Sequence, residues 1–326
     1  MTDLKPTKPF VAVRDHEPAP AALKGAVVAL GNFDGVHRGH RQVIATALAR
    51  ARALGRPAAA LTFEPHPRAF FRPGEPLFRL TDETNKLRLF AATGLDGAVV
   101  MTFDAGLARL TAEEFVGRIL VDRLAVSGAV VGFNFHFGKD RGGSPAFLAE
   151  EGAKRGLAVD VVPVFSHNGR PVSSGPIRDA LATGDVAEAA ELLGYPWFVT
   201  GSVIQGDKRG RALGYPTANV AVDAACRLKH GIYAVRVGIG GARYDGVASF
   251  GRRPMFATPA PLLEVFLFDF SGDLYGRTID VAFIGWIREE MRFATVGELV
   301  SQMDEDSARA KAALTRAPDA FPPLGF

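Results

Sequence analysis

Two histidines three residues apart, His37 and His40, stand in the segment GNFDGVHRGH (31–40). Gly31, Asp34, Gly35 and Gly39 are poor helix formers, so the segment is a loop running into a helix. The apolar AVVAL (26–30) before it reads as a buried strand, and Val43, Ile44, Ala47, Leu48 and Ala51 after it recur on one helical face. The imidazoles therefore fall at a helix N-terminus, where backbone N–H groups and the helix dipole favour anions. Imidazole donors at that place suit charge developing on a nucleotide α-phosphate.

Three further polar segments each follow a different strand candidate. TFEPHPRAFF (62–71) brings His66 and Arg68, and GFNFHFGKDRGG (132–143) brings Asn134, Lys139 and Arg141. SSGPIR (173–178) is suited to cap the next helix and to present Arg178 to phosphate. Convergence of four such segments at strand ends favours a ligand site over unrelated surface turns. The chain has no GxxxxGK[ST] loop and no GxGxxG after its first strand, so neither common nucleotide fingerprint applies. Zinc binding by His37, His40 and His66 lacks supporting cysteine or histidine spacing.

A second set of chemistry-bearing residues lies beyond residue 200. GSVIQGDKRGRALGYPTANV (201–220) sets Gly206, Gly210 and Gly214 among Lys208, Arg209 and Arg211. Mobile backbone with three cations suits a polyphosphate, and equally a charged hairpin. In an extended chain Thr217 and Asn219 face one side and offer two neutral oxygens to Mg²⁺. Glu264 is the only ionisable group of LLEVFLF (262–268), and alternation puts it with Leu262, Phe266 and Phe268. A carboxylate buried there needs a partner or a raised pKa, which makes it a candidate general base or an ion-pair partner of Arg252 or Arg253.

The elements that position these residues differ between the two halves. Up to about residue 180, strand candidates (26–30, 58–63, 97–101, 128–132, 157–164) alternate with helix candidates (38–54, 82–93, 111–123, 144–155). This is the grammar of an α/β doubly wound parallel sheet. A helical stretch, IRDALATGDVAEAAELLG, closes at Gly194 before Pro196. Beyond it WFVTGSVI, GIYAVRVGI, YDGVASF, LLEVFLFDF and TIDVAFIGWI read as strands without intervening helices, hence an antiparallel β-barrel with a C-terminal helix from about Val296. Residues 1–24 read as a loose arm.

Composition narrows the function classes. The 326 residues are 48% hydrophobic, enough for two packed domains. Basic and acidic residues nearly cancel, 38 against 35, and no basic run argues for nucleic acid. The single cysteine, Cys226, suits a reducing cytoplasm, and no apolar segment is long enough for a membrane span.

In order, GNFDGVHRGH, TFEPHP, GFNFHFGKDRGG and SSGPIR resemble the adenylyltransferase module of bacterial bifunctional FAD synthetases, whose HxGH pattern is shared with the wider nucleotidyltransferase superfamily. GDKRGRALGYPTANV, GIYAV, GRRP, LEVFLFDF, DLYG and IREEMRF resemble the riboflavin kinase module of the same family. The resemblance implies phosphorylation of riboflavin to FMN by ATP, then AMP transfer from ATP to FMN, with Mg²⁺ as cofactor. It implies an adenylyltransferase domain over 1–184 and a kinase domain over 185–326. His37 and His40 would contact ATP phosphates, and Asn32, Phe33, Asp34 and Gly35 would line the nucleotide pocket. Asn134, Ser174 and Arg178 match further nucleotide positions, and Gly206, Arg209, Gly210 and Arg211 fall in the kinase glycine loop. Thr217 and Asn219 match the metal–ATP motif, Glu264 the base, and Arg288 and Phe293 positions near the flavin. Three positions depart from the family pattern: Gly175 replaces a threonine of SSTxIR, Met255 a threonine of the GxRPTF turn, and Phe266 a common histidine. A nucleotidyltransferase with another acceptor fits less well, because the PTAN module would itself make the flavin acceptor. An oligonucleotide-binding barrel would interleave its aromatics with Lys and Arg, and the aromatic-rich strand does not.

Overall fold

The structure, a computed structural model, describes residues 9–15, 20–206, 210, 213–251 and 261–324. By internal contacts these form two compact units. One is built from the residues up to Leu77 together with Thr81–Ser173, the other from Phe78–Leu80 and Ser174–Pro322.

In the first unit the chain runs through β1 (Val11–Arg14), β2 (Val27–Leu30), α1 (Arg38–Leu54), β3 (Ala58–Glu64), α2 (Pro67–Phe71), α3 (Glu83–Ala92), β4 (Gly97–Thr102), α4 (Ala105–Arg109), α5 (Ala112–Glu114), β5 (Gly128–Gly132), α6 (Pro145–Lys154) and β6 (Ala158–Val162). A short hairpin, β7 (Ser166–His167) with β8 (Arg170–Pro171), follows. The six long-range strands make one parallel sheet in the order β1-β4-β3-β2-β5-β6. Parallel strands need crossover helices on their faces, so the inner strands β2, β3, β4 and β5 read as near-continuous apolar runs. Val28, Leu30, Ala59, Leu61, Phe63, Val99, Met101 and Val131 pack with Phe115, Val116, Leu120 and Leu148. The opposite alternation, Val27, Ala29, Ala60, Val100 and Val130, is equally buried, so both faces are covered. Strand order reverses between β2 and β5, and ligands of such sheets bind beyond the carboxyl ends of the strands at that point.

Several expectations change here. Within the described part of residues 1–24, Val11–Arg14 is no loose arm: it pairs in parallel with β4, Val13 is buried, and Leu23 is buried below it. The helix expected over 111–123 starts as α5 under a Thr111/Glu114 capping box, then widens to a π-helix over Phe115–Arg123.

The second unit begins with α7 (Ser174–Thr183) and α8 (Val186–Leu193). The single helical stretch expected there is two helices. Gly184 takes a positive φ of 86°, and Asp185 caps α8 by accepting from the Glu188 N–H. Then β9 (Phe198–Ile204), β10 (Thr217–Ala221), β11 (Gly231–Ile239), β12 (Ala242–Gly251), β13 (Leu262–Leu267) and β14 (Thr278–Arg288) close an antiparallel barrel in the order β10-β13-β12-β11-β14-β9. Tyr233, Val235, Leu263, Val265, Val281 and Phe283 are buried to within 1%. The C-terminal helix α9 (Val296–Arg316) adds a second core, Ala310 and Leu314 against Ala234, Val247, Phe268 and Ile287.

Arg236 of β11 is buried and ties down the end of α9. Its guanidinium donates to the carbonyl of Leu314 (3.0 Å), one of the last-turn groups a helix terminus leaves unpaired, and to those of Pro318 and Ala320 (3.2 Å) in the segment that follows. Arg236→Ala is expected to cost about 1.5–3 kcal/mol, the value of hydrogen bonds from a charged donor. Calorimetry should read it as a lowered melting temperature.

Candidate active sites

The loop between β2 and α1 is shaped by three residues in the left-handed region, Phe33 (φ 52°), Gly35 (φ 83°) and Val36 (φ 36°). Such backbone persists only where surroundings over-determine it, and the tethers are present. Thr62 Oγ1 donates to the Asn32 carbonyl (3.2 Å), the Gly35 N–H donates to Thr81 Oγ1 (3.1 Å), and the Thr81 N–H donates to Asp34 Oδ1 (3.2 Å).

His37 ends this loop as the N-cap of α1, its Nδ1 accepting from the His40 N–H at 3.3 Å. A neutral His37 ring bonded in this way carries its proton on Nε2 and is a donor there. The two imidazoles stack with centroids 3.6 Å apart, and Phe33 meets His40 edge-on at 5.2 Å. A Cβ at Gly39 would lie 3.2 Å from the His37 ring, a tight contact that glycine avoids. His40 Nδ1 is buried without a hydrogen-bond partner. Desolvation, then the charges of His37 and Lys86, hold the His40 pKa well below 6.5. The unfolded chain binds this proton at the ordinary value while the folded chain resists it, so this group's contribution to stability is lost as pH falls below 6.5.

The other first-unit residues spread around this point. Asn134 is exposed just past β5, the strand beside β2, and Lys139 and Arg141 are exposed farther along that segment. His66 caps α2 by accepting from the Arg68 N–H (3.1 Å), and Arg68 pairs with Glu75 at 3.6 Å. Among the described residues no group of three or more His, Cys, Asp or Glu is assembled for a metal. Ser174 and Arg178 lie in α7 of the second unit, and Arg178 Nε donates to the Phe78 carbonyl at 2.6 Å.

In the second unit a cavity of about 270 Å³ is lined by Gly206, Gly210, Thr217, Asn219, Phe270, Asp273 and Tyr275. A Cβ at Gly206 would stand 2.5 Å from the Asn219 amide, and one at Gly210 would stand 2.2 Å from the Tyr215 carbonyl. These glycines let the backbone close over the strand. Asn219 is 5% exposed, and its Oδ1 has no hydrogen-bond partner among the described residues. A buried oxygen of this kind is costly unless a cation or donor completes it. Lys208, Arg209 and Arg211 lie outside the described residues.

Glu264 sits across from Asn219 on one side and Ser249 on the other. It is half-buried, not enclosed as expected from LLEVFLF: Leu263, Val265 and Leu267 face the barrel core, and Glu264 shares the partly covered outer face with Leu262 and Phe266. Its expected alternative partners, Arg252 and Arg253, lie outside the described residues, as does Met255. Arg288 donates twice to Asp306 of α9 (2.8 and 2.6 Å) and lies 6.0 Å from the Phe293 ring. Tyr215, in the segment before β10, donates to Asp304 on the same helix.

Sequence reasoning missed the partners that come from afar: Thr81, Lys86, Asp304 and Asp306. One signal was available. Thr62 and Glu64 stand two apart in an otherwise apolar strand, hence on one face, and both bond Lys86.

Comparison with known proteins agrees with both halves. The FAD synthetase family matches residues 19–176 and the riboflavin kinase family residues 193–314. A bifunctional riboflavin kinase/FMN adenylyltransferase of Pseudomonas fluorescens is 42% identical over 294 residues, covering 89% of this chain and 93% of that one. Its namesake from Escherichia coli K12 is 39% identical, with 91% and 95% covered, and that of Bacillus subtilis 37%, with 87% and 91% covered. A crystal structure described as a macrolide-efflux protein from Streptococcus pneumoniae superposes with a TM-score of 0.83 at 30% identity, covering 93% of this chain and 99% of that one. No described helix is long and apolar enough to cross a membrane. With its sheet, its barrel and both family matches, the chain belongs to the bifunctional riboflavin kinase/FMN adenylyltransferases, which phosphorylate riboflavin to FMN with ATP and adenylylate FMN to FAD.

Proposed function

We propose that adenylyl transfer is the work of residues 1–184, around His37 and His40, and that riboflavin phosphorylation is the work of residues 185–326, around Thr217, Asn219 and Glu264. The observation that carries the first assignment is the stacked pair at the start of α1, with a buried His40 Nδ1 lacking a partner. There an FMN phosphate oxygen attacks the ATP α-phosphorus, a P–O bond forms, and pyrophosphate departs. His37 Nε2–H and His40 donate to the phosphate oxygens as charge builds, aided by the N-terminus of α1. Asn32, Phe33, Asp34 and Gly35 shape the nucleotide pocket, and Asn134 supplies a further contact.

In the kinase the riboflavin 5′-hydroxyl attacks the γ-phosphorus, Glu264 takes the hydroxyl proton, and ADP departs. Gly206, Arg209, Gly210 and Arg211 wrap the polyphosphate, and Arg288 and Phe293 flank the flavin. The orphaned Asn219 Oδ1 beside Thr217 fits a hard cation that fills its shell with phosphate and water. Bound Mg²⁺ supplies charge neutralisation of the phosphates. Both reactions use small molecules alone, in the cytoplasm, without nucleic acid or membrane.

Chromatographic separation of riboflavin, FMN and FAD after incubation with ATP and Mg²⁺, for the whole chain and for each domain, tests the division of labour. Asn219→Ala is expected to raise the kinase KM for MgATP about tenfold or more, the equivalent of one charge-assisted contact. Its rate of FAD formation from supplied FMN should stay near that of the parent.

A further inference from the structure

Lys86 of α3 is buried completely, an unusual place for a lysine. Its ammonium lies 2.7 Å from Glu64 Oε1 and 3.3 Å from Thr62 Oγ1, both at the carboxyl end of β3. Thr62 Oγ1 in turn donates to the Asn32 carbonyl of the loop that ends in His37. A continuous chain of polar contacts therefore runs from Glu64 through Lys86 and Thr62 into the strained β2–α1 loop. We propose that Lys86 is a positioning residue for adenylyl transfer, fixing the loop and the His37–His40 pair through Thr62 and presenting a buried positive charge beneath them.

Three observations favour this over an ordinary core ion pair. Replacing a buried pair with apolar side chains is often neutral or stabilising, so stability alone does not account for the pair. Lys86 stands at the ligand-binding edge of the sheet, next to the strand-order reversal. Its charge also acts on His40, whose ring is pushed toward the neutral form by burial, then by His37 and Lys86. Of the carboxylates near it, Glu64 pairs with Lys86, and Asp34 accepts from the Thr81 N–H.

The inference rests on adenylyl transfer occurring at His37 and His40, and the experiment separates the two claims. In the full chain, FMN adenylylation, riboflavin phosphorylation and the NMR titration of the His40 ring are measured for Lys86→Met and for His40→Ala. Lys86→Met is expected to lower kcat for adenylylation about 10- to 100-fold, the size of a misplacement of the reacting groups. Phosphorylation should be unchanged, and the His40 titration midpoint should rise. Both changes are required: adenylylation within twofold of the parent, or a loss with the His40 midpoint unmoved, overturns the proposal. If Lys86→Met does not fold, Glu64→Gln/Lys86→Met removes both charges and is read by the rates alone: a tenfold or greater loss of adenylylation with phosphorylation unchanged supports the proposal, and adenylylation within twofold of the parent overturns it. Failure of both to fold would make Lys86 a structural residue and end the claim. Normal adenylylation by His40→Ala would instead remove the site assignment itself.

Discussion

His37→Ala combined with His40→Ala should all but abolish FAD formation from FMN while riboflavin phosphorylation continues. In the proposed assignment each imidazole donates to developing phosphate charge, and one such donor contributes about 10²–10³ in rate. His37 is also the N-cap of α1, so its loss carries a stability cost of about 0.5–2 kcal/mol. His37→Asn keeps an acceptor for the His40 N–H and separates the two effects. It should restore the melting temperature without restoring adenylylation. Equal loss of both activities in a folded double variant would refute the assignment, because the kinase residues lie on other elements.

Glu264→Gln carries the second large effect. The amide cannot accept the riboflavin hydroxyl proton, and the loss expected from removing a general base is about 10²–10⁴-fold in kinase turnover. Phosphoryl transfer depends mainly on positioning and electrostatics, so some activity should persist. MgATP binding through Thr217 and Asn219 and FAD synthesis from supplied FMN should both continue. Glu264 is half-buried on the outer face of β13, a place where glutamine is tolerated sterically. A fall in melting temperature with single-turnover phosphorylation intact would mark Glu264 as a structural partner only.

What was legible in the sequence follows from where the information lies. The inner parallel strands were legible because burial on both faces makes them near-continuous apolar runs, as in AAALTFE of β3. The HxGH geometry was legible because His37 and His40 share one helical turn. Val11–Arg14 was not, being four residues long and recognisable only by its pairing with β4. Thr217–Ala221 was read as extended chain, and its place between β9 and β13 comes only from the closure of the barrel. Alternation sorted Glu264 onto one face of its strand, and its apolar neighbours made that face read as the inside, whereas it is the partly covered outer one. Lys86 and Glu64, 22 residues apart, and Tyr215 and Asp304, 89 apart, meet only through the fold. Gly184 was legible as a glycine, but the break it makes depends on Asp185 capping the next helix.

β3 is buried at all seven of its residues and hydrogen-bonded to β2 on one side and β4 on the other. Amides in such a strand exchange with deuterium only when the whole unit opens. The strained β2–α1 loop is fastened to this strand through Thr62, so its backbone inherits the slow-exchanging strand as an anchor. A segment with three left-handed residues would by itself sample many conformers. Hung from a fully buried strand, it is held in the one conformation that sets His37 at the start of α1.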